Sequence, residues 1–250
     1  MTAVFRPIVL VPVFDHEHAI ETMVEAILRH PWPCLLVDDG SGPACEQVLR
    51  QIADAHPGRV LLIRQPENRG KGAAMMAGFE AAARLGYTHA LQIDADGQHN
   101  AGDIPRFLAL AQENPAAVIA GCPVYDDSVP RHRFYLRYLT HILVWVNTLS
   151  FEIRDSMCGL RVYPLDAVTA LMGDVQLGRH MEFDTEVIVR MYWRGASVVN
   201  VPTRVTYPTD GVSHFRLLQD NVLMTGMLTR LFFGMLWRMP RLLWRKVRPA

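Results

Sequence analysis

Two aspartates separated by one residue, Asp94 and Asp96, follow the short apolar run 90–93. In extended backbone, side chains two positions apart point to the same side, so both carboxylates can face one cation. Mg²⁺ and Mn²⁺ prefer oxygen ligands and are often held by one or two carboxylates together with substrate phosphate oxygens. Gln98 can add a carbonyl oxygen or hold a metal-bound water. The alternative is structural: Asp94 caps the next helix and Asp96 forms a turn with Gly97.

Two further acidic clusters, Asp15-His16-Glu17 and Asp38-Asp39-Gly40-Ser41, follow the first and second apolar runs of the chain. Clustered carboxylates repel one another unless a cation or a hydrogen-bonding ligand offsets their charge. The carboxylate of Asp38 or Asp39 can accept a hydrogen bond from a uracil or guanine N–H or from a ribose hydroxyl. The alternative is an Asp-Gly turn with Ser41 as the helix N-cap. Both are compatible, because one aspartate can form the turn while its neighbour faces a ligand.

The segment Glu67–Gly72 has the composition of an anion-binding loop. It contains two cations, Arg69 and Lys71, and two glycines, and a helix that opens with Ala73-Ala74 follows it. Backbone N–H groups at a helix N-terminus and flexible glycines favour a bound phosphate or carboxylate. The spacing is not that of a P-loop, GxxxxGK[ST]. The alternative is a solvated loop without a ligand.

These clusters lie between segments whose patterns alternate between strand and helix. In the first half we predict strands at 8–14, 34–37, 60–63, 90–93 and 117–120, and helices at 17–29, up to 55, at 73–85 and at 104–112. In the second half we predict helices at 131–149 and 182–194, a loop and strand at 155–164, a strand at 198–205 and a long helix from 215. This alternation predicts an α/β fold with a mostly parallel sheet and helices on both faces. Ligands of such sheets bind outside the carboxyl ends of the strands, where the acidic clusters lie.

The composition permits one folded domain followed by a basic end. Of 250 residues, 50% are hydrophobic and 20% are charged, which is enough for a sizeable core and excludes a mostly disordered chain. The net charge is zero, so nothing indicates a nucleic-acid partner. Four widely spaced cysteines without a CxxC pair predict reduced thiols, and the N-terminus lacks a signal-peptide pattern. We therefore expect a catalytic domain at 1–214, a C-terminal segment at 215–250 and a cytoplasmic location.

Five short motifs stand in order along the chain: Pro12-Val13-Phe14, Val37–Ser41, Asn68–Gly72, Asp94–His99 and Asp155–Arg161. This series resembles family 2 glycosyltransferases over about residues 7–214. The resemblance is strongest to the branch of dolichol-phosphate mannose synthases and bacterial polyprenyl-phosphate sugar transferases. It implies a GT-A (Rossmann-like) fold, a nucleotide-diphosphate sugar donor, Mg²⁺ or Mn²⁺ as the cofactor, and inversion at the anomeric carbon.

The resemblance also implies roles for individual residues on the donor side. These are Pro12, Phe14 and Asp38 or Asp39 for the nucleoside, Asp94, Asp96 and Gln98 for the metal, Ala95 beside the donor, and Lys71, Arg131 and Arg161 for phosphate groups. Arg131 and Arg161 could equally contact the acceptor. For these two arginines, the alternative is an exposed helix or strand face.

The acceptor side departs from the pattern that the resemblance implies. Glu182-Phe183-Asp184 resembles the family's acidic acceptor segment, so Asp184 or Glu182 could be the general base, although helix N-termini favour acids anyway. Asp15-His16 replaces the usual Asn-Glu, and Pro208 and His214 replace basic residues. An acceptor phosphate therefore loses two expected partners. His214 could donate to a phosphate, act as a base or cap the next helix.

The C-terminal segment combines apolar, aromatic and basic residues. Val222–Leu236 is mostly apolar but contains Arg230 and is short for a membrane span, and Trp237, Trp244 and more basic residues follow. This pattern is typical of an amphipathic helix lying in the interface of an anionic membrane. The alternative is a helix packed on the catalytic domain or on a second subunit, as in a homodimer.

Together these patterns predict an inverting glycosyltransferase that sits peripherally on the inner face of the cell membrane and acts on a lipid-linked or envelope acceptor. One alternative is a non-catalytic membrane-associated partner with a degenerate site. The other is a sugar nucleotidyltransferase, which normally carries a Gly-rich, basic signature after the first strand. Val13-Phe14-Asp15-His16 offers no such signature.

Overall fold

The computed structural model describes residues 4–125, 131–206 and 216–247. Within these ranges seven strands form one sheet. They are β1 (Pro7–Val13), β2 (Cys34–Asp38), β3 (Val60–Arg64), β4 (His89–Gln92), β5 (Val118–Tyr125), β6 (Arg161–Pro164) and β7 (Val198–Val205). The helices are α1 (Glu17–Leu28), α2 (Pro43–Ala55), α3 (Lys71–Arg84), α4 (Ile104–Glu113), α5 (Arg131–Thr148), α6 (Leu165–Asp174), α7 (Phe183–Arg194) and α8 (Leu217–Val247), with a short 3₁₀ helix at Ala101–Asp103.

The strand order is β3-β2-β1-β4-β6-β5-β7. All neighbouring strands are parallel except β6, which is antiparallel to β4 and β5. The order changes direction at β1, because β2 lies on one side of it and β4 on the other. A ligand crevice is expected at such a reversal, outside the carboxyl ends of the strands. The predicted mostly parallel α/β sheet is confirmed.

Alternating side chains of the strands supply two cores, one on each face of the sheet. In β1, Ile8 and Leu10 belong to one core and Val9 and Val11 to the other, since successive side chains point to opposite faces. The first core includes buried side chains of α3, α5, α6, α7 and α8, and the second those of α1, α2 and α4. Helices therefore cover both faces, as predicted.

The observed elements differ from the predicted ones in two places that bear on the site. α3 begins at Lys71 rather than at Ala73, so Lys71 and Gly72, the last two residues of the 67–72 segment, belong to the first turn of the helix. The sequence did not predict α6. Only three of its ten residues, Leu165, Val168 and Leu171, are buried, so its apolar pattern is short.

The C-terminal helix α8 packs one side against the catalytic domain. Leu231 and Met235 are buried in the first core, and Arg238 stacks on the ring of Trp193 in α7 at 4.8 Å. The predicted helix start at Phe215 lies outside the described residues. Among the residues described, no helix has the length and apolar character needed to cross a membrane. The division of the chain at residue 214 stays a prediction.

Candidate active site

A cavity of about 310 Å³ opens where β1, β2 and β4 end. Residues predicted for the donor side line it: Pro12, Phe14, Asp39, Lys71, Asp94, Ala95, Asp96 and Gln98. The volume is within the range of small-molecule sites. Asp38, Arg161, Glu182 and Asp184 do not line this cavity, although Asp184 reaches it indirectly through Lys71. His214 and the side chain of Arg131 lie outside the described part of the chain.

Asp38 builds the loop after β2 and does not line the cavity. Its Oδ1 accepts a hydrogen bond from the Ser41 backbone N at 2.8 Å, and its Oδ2 pairs with Arg64 at the end of β3. Ser41 is not the helix N-cap of the structural alternative, because the N-cap of α2 is Gly42. The Ser41 hydroxyl instead accepts from the backbone N of Asp15, at 3.1 Å. The Asp38 carboxylate is thus satisfied by protein groups.

Asp39 lines the cavity and also fixes the neighbouring loop. Its two carboxylate oxygens accept from the backbone N of Arg69 at 3.0 Å and of Gly70 at 2.8 Å. Burial raises the pKa of Asp39, although these two hydrogen bonds oppose the rise. Each oxygen keeps a further lone pair with which it can accept from a ligand N–H or hydroxyl.

The glycines of the 67–72 segment allow another loop to pack against the start of α3. Gly70 has φ +97°, and a Cβ there would lie 2.4 Å from the carbonyl oxygen of Arg179. That carbonyl accepts a hydrogen bond from the backbone N of Ala73 at 3.0 Å. One N–H of the helix N-terminus, where the sequence predicts an anion, is therefore occupied by protein.

Lys71 links the Asp94 carboxylate to Asp184. Its Nζ lies 2.7 Å from Asp94 Oδ2 and 2.7 Å from Asp184 Oδ2. Burial alone would lower the pKa of Lys71, but the two carboxylates outweigh it and hold this pKa above its usual value. Burial would likewise raise the pKa of Asp94, and the Lys71 ammonium outweighs it and lowers that pKa. Lys71 stays charged and keeps both carboxylates in place.

Asp96 is the less constrained member of the pair. β4 ends at Gln92, and Ala95 and Asp96 lie in a turn, so the extended backbone assumed for this segment is wrong. Asp96 Oδ1 accepts from the backbone N of Gln98 at 3.0 Å, which is the turn expected as the structural alternative. Both carboxylates nevertheless line the cavity. Burial and the nearby Asp94 charge raise the pKa of Asp96.

The donor atoms at this turn fit a hard divalent cation. A bound cation would offset the repulsion that raises the Asp96 pKa, and carboxylate and amide oxygens are the ligand types that Mg²⁺ and Mn²⁺ prefer. Within 4–125, 131–206 and 216–247, no group of three His, Cys, Asp or Glu side chains is arranged to hold a metal. A cation here would therefore complete its shell with Gln98, water or phosphate oxygens of a ligand.

The motif Asp155–Arg161 packs against the carboxylate of Asp94. The absence of a side chain at Gly159 makes room for Asp94, since a Cβ there would lie 1.9 Å from Asp94 Oδ2. Asp155 anchors the turn by accepting from the backbone N of Met157 and of Cys158, both at 2.8 Å, and by pairing with Arg137 of α5 at 2.7 Å.

Arg161 donates a hydrogen bond to Asp184 and does not line the cavity. Its side chain is 0% exposed, and its guanidinium donates to the carbonyl oxygen of Asp184 at 2.7 Å and to the hydroxyl of Tyr163 at 3.0 Å. That hydroxyl donates to Gln92 Oε1, and Gln92 Nε2 donates to Asp184 Oδ1 at 3.1 Å. Arg161 is enclosed in the core, and its contact with a phosphate stays a prediction.

Glu182 likewise contacts a neighbouring loop and does not line the cavity. It is buried, its Oε1 lies 3.4 Å from the backbone N of His180, and a Cβ on Gly178 would lie 2.4 Å from the same oxygen. Glu182 thus supports the 178–180 segment that packs on Gly70.

Several cavity residues are absent from the sequence prediction. They are His180, Met181, Arg216, Gln219 and Asp220, whereas His16 and Asn68 belong to predicted motifs but were given no role of their own. His180 and Met181 directly precede the acidic segment 182–184, and that proximity was the available indication. Arg216 and Asp220 are four residues apart around the first turn of α8, but nothing local indicates that this turn meets the ends of β1 and β4.

Two known glycosyltransferases are similar to this chain in sequence over most of its length. The chain is 27% identical over 214 residues to a polyprenol monophosphomannose synthase of Mycolicibacterium smegmatis, covering 83% of this chain and 80% of the relative. It is 27% identical over 201 residues to a dolichyl-phosphate beta-glucosyltransferase of Trichomonas vaginalis, covering 72% of this chain and 59% of that relative.

Solved structures show the same fold. Glucosyl-3-phosphoglycerate synthase from Mycobacterium tuberculosis, in complex with Mn²⁺, uridine diphosphate and glucosyl-3-phosphoglycerate, superposes with a TM-score of 0.68 at 14% identity, covering 93% of this chain and 80% of that one. The GT-A type of α/β fold is therefore confirmed. Residues 8–169 match the family described as Glycosyl transferase family 2. With most of the sheet and the whole Asp94–Asp96 turn inside that match, the chain belongs to glycosyl transferase family 2 and is a glycosyltransferase.

Proposed function

We propose that this glycosyltransferase transfers a sugar, with inversion, from a nucleotide-diphosphate sugar to a lipid-linked acceptor, using Mg²⁺ or Mn²⁺. The observation that carries the proposal is that Asp39, Asp94 and Asp96 line one cavity at the reversal point of the sheet. The names of the relatives, which include dolichyl-phosphate and polyprenol transferases, support the lipid-linked acceptor.

On the donor side, Pro12, Phe14 and Asp39 would hold the nucleoside. Asp96 and Asp94, with Gln98, would hold the metal, which when bound neutralises negative charge that develops on the departing nucleoside diphosphate. Lys71 would keep Asp94 oriented toward the donor.

On the acceptor side, the residue contacts support a nucleophile that is already ionised. Both carboxylate oxygens of Asp184 are engaged, one by Lys71 and one by Gln92, and Glu182 is buried outside the cavity. Neither group is poised to remove a proton from a hydroxyl. A phosphate oxygen needs little base catalysis, so these contacts favour a phosphate acceptor over a hydroxyl.

The exposed faces of α5 and α8 support peripheral attachment to a membrane. We call these faces the α5–α8 surface; its exposed apolar side chains are Tyr138, Leu139, Ile142, Leu143 and Val146 on α5, and Phe232, Phe233, Leu236, Trp237, Leu243 and Trp244 on α8. Exposed Arg230, Arg241 and Lys246 flank it, and the sequence contains no acidic residue after Asp220. Aromatic and basic side chains on one face suit the interface of an anionic membrane.

The substitution Asp96→Asn tests the metal assignment. The new asparagine retains the size of the side chain but not its charge, so we expect Mn²⁺-dependent turnover to fall about 100-fold or more with an unchanged melting temperature. The donor for the assay is chosen by screening nucleoside diphosphates and their sugars for thermal stabilisation with and without Mn²⁺.

Asp54→Asn, which changes an exposed carboxylate on α2, is the matched control and should retain wild-type turnover. Undiminished activity of Asp96→Asn would contradict the metal assignment. Absence of any stabilisation of the wild-type protein by nucleoside diphosphates would contradict the proposed donor class.

A further inference from the structure

Among the described residues, the charges that line the cavity leave one cation without an ionic partner. Four carboxylates line it, those of Asp39, Asp94, Asp96 and Asp220, together with two cations, Lys71 and Arg216. Lys71 is already bound by Asp94 and Asp184. Arg216, in contrast, forms no ion pair with any residue in the described ranges.

Two hydrogen bonds hold the backbone of Arg216, whereas its guanidinium makes one long hydrogen bond within the described residues. Its backbone N donates to Asp220 Oδ2 at 2.7 Å, and its carbonyl oxygen accepts from the Asp220 backbone N at 2.8 Å. The guanidinium is exposed, and its hydrogen bond to Gln219 Oε1 is a long one of 3.4 Å. The start of α8 thus places an arginine at the cavity, and most of its donors have no partner among the described residues.

We propose that Arg216 binds a phosphate group of a substrate in this cavity, an inference that rests on the proposed function. A guanidinium presents a planar fork of N–H donors that matches two phosphate oxygens, and such charge-assisted pairs are among the strongest hydrogen bonds in proteins. The described cavity offers no second unpaired cation for this task, since the Lys71 ammonium is held by two carboxylates. The phosphate belongs either to the diphosphate of the donor or to the acceptor.

The position of Arg216 also connects the cavity with the α5–α8 surface. Arg216 stands immediately before α8, and the same continuous helix carries Phe233, Trp237 and Trp244 on its exposed side. A lipid phosphate at the edge of a membrane bound to that surface would therefore meet a helix that also borders the active site.

The experiment compares ligand binding by wild-type protein, Arg216→Gln and Arg216→Lys. Isothermal titration measures affinity for UDP, GDP, CDP and dTDP with Mn²⁺, for the corresponding nucleosides, and for citronellyl phosphate as a short prenyl phosphate. We expect Arg216→Gln to weaken binding of a phosphate ligand about tenfold and to leave nucleoside binding unchanged. Arg216→Lys retains the charge without the fork and should lose less.

Arg29→Gln is the matched control, because Arg29 is an exposed arginine directly after α1 that lies outside both the cavity and the α5–α8 surface. It should bind every ligand as the wild type does, and the exposed position of residue 216 predicts unchanged melting temperatures for its variants. Weaker binding of nucleoside diphosphates places Arg216 on the donor, and weaker binding of citronellyl phosphate alone places it on the acceptor.

Two outcomes would overturn the inference, and they are distinguishable. If wild-type protein binds a nucleoside diphosphate and Arg216→Gln binds it and citronellyl phosphate equally well, Arg216 has no phosphate-binding role and the proposed function stands. If wild-type protein binds no nucleoside diphosphate with Mn²⁺, the proposed function fails and the role of Arg216 fails with it.

Discussion

Asp38 and Asp39 are adjacent in the chain, but their carboxylates face different surroundings. Asp38 pairs with Arg64 and holds the loop after β2, whereas Asp39 lines the cavity and accepts from two backbone N–H groups. Asp94 and Asp96 both line the cavity, but Asp94 is held by Lys71 and Asp96 by one backbone N–H. At the scale of single residues, the position of a carboxylate at the cavity, and not its place in an acidic motif, decides whether it can bind a ligand.

Gly159→Ala tests whether the position of Asp94 depends on the missing side chain behind it. The new Cβ would lie 1.9 Å from Asp94 Oδ2, so the carboxylate must move and its contact with Lys71 must change. We expect turnover to fall about tenfold or more, with a smaller change in stability, because the displaced atom is the end of a side chain. Steady-state kinetics and thermal unfolding measure the two effects.

Gly173→Ala in α6 is the control, since nothing lies within 4 Å of a Cβ at that position. It should leave turnover unchanged and slightly stabilise the helix, as alanine is the better helix former. Wild-type turnover in Gly159→Ala would show that the placement of Asp94 is not required.

At the scale of secondary-structure elements, the turn that starts at Asp155 connects α5 with the residues that pack against Asp94. Asp155 accepts from Arg137 at 2.7 Å, lies 3.2 Å from His141 Nε2, and accepts from two backbone N–H groups of its own turn. Burial alone would raise the pKa of Asp155, but His141, Arg137 and these contacts outweigh it and hold the pKa well below its usual range.

Asp155→Asn should therefore destabilise the protein in a pH-dependent way. Breaking a buried ion pair costs about 3 kcal/mol or more near neutral pH, because the cationic partner stays buried. The folded-state pKa is depressed, so the stabilisation is complete above the unfolded-state value of about 4 and is lost as the pH falls further. Chemical denaturation of both proteins between pH 7 and pH 3 measures this difference.

The control is Asp174→Asn, which removes an exposed ion pair with Arg194. Exposed pairs contribute about 0–1 kcal/mol, so this variant should show a small effect at every pH. A penalty for Asp155→Asn that stays constant down to pH 3 would contradict the assignment of the depressed pKa.

At the scale of the whole molecule, α8 has two different faces. Its inner face packs on the first core through Met227, Leu231 and Met235. Its outer face belongs to the α5–α8 surface, where Trp237 is 86% exposed. A large exposed apolar patch bordered by cations is typical of an interaction site, and a membrane with anionic lipids matches its charge.

The double substitution Trp237→Ser and Trp244→Ser tests that surface. Both side chains are exposed, so the melting temperature should change little. Flotation with vesicles of anionic phosphatidylglycerol should show a loss of bound protein of about tenfold or more relative to wild type, because the aromatic anchors are removed.

Leu85→Ser, an exposed apolar position after α3, is the control and should bind vesicles like the wild type. Wild-type protein that binds anionic vesicles no better than neutral phosphatidylcholine would contradict the membrane proposal and favour a second subunit on this surface.

The alternation of strands and helices, the acidic clusters at strand ends and the five motifs could be predicted from sequence, because each depends on neighbouring residues. Hydrophobic periodicity and turn chemistry act over a few positions and need no knowledge of packing. Lys71 and Asp94–Asp96 were predicted near the ends of strands for the same reason, whereas the start of α3 at Lys71 and the turn at Ala95-Asp96 came from the structure.

Which of those residues contact other protein groups and which face the cavity depended on the tertiary structure. The Lys71–Asp184 contact joins residues 113 positions apart, and the Gln92–Asp184 contact joins residues 92 apart. No local pattern shows that Arg161 is enclosed behind Asp184, or that the first turn of α8 brings Arg216 to the ends of β1 and β4. The sequence by itself predicted a mostly parallel sheet, because strand and helix periodicity is local, and the resemblance of its ordered motifs to family 2 glycosyltransferases indicated the class of chemistry. Only the tertiary structure decided which charges are satisfied within the protein and which remain available to a ligand, because that depends on contacts between distant segments.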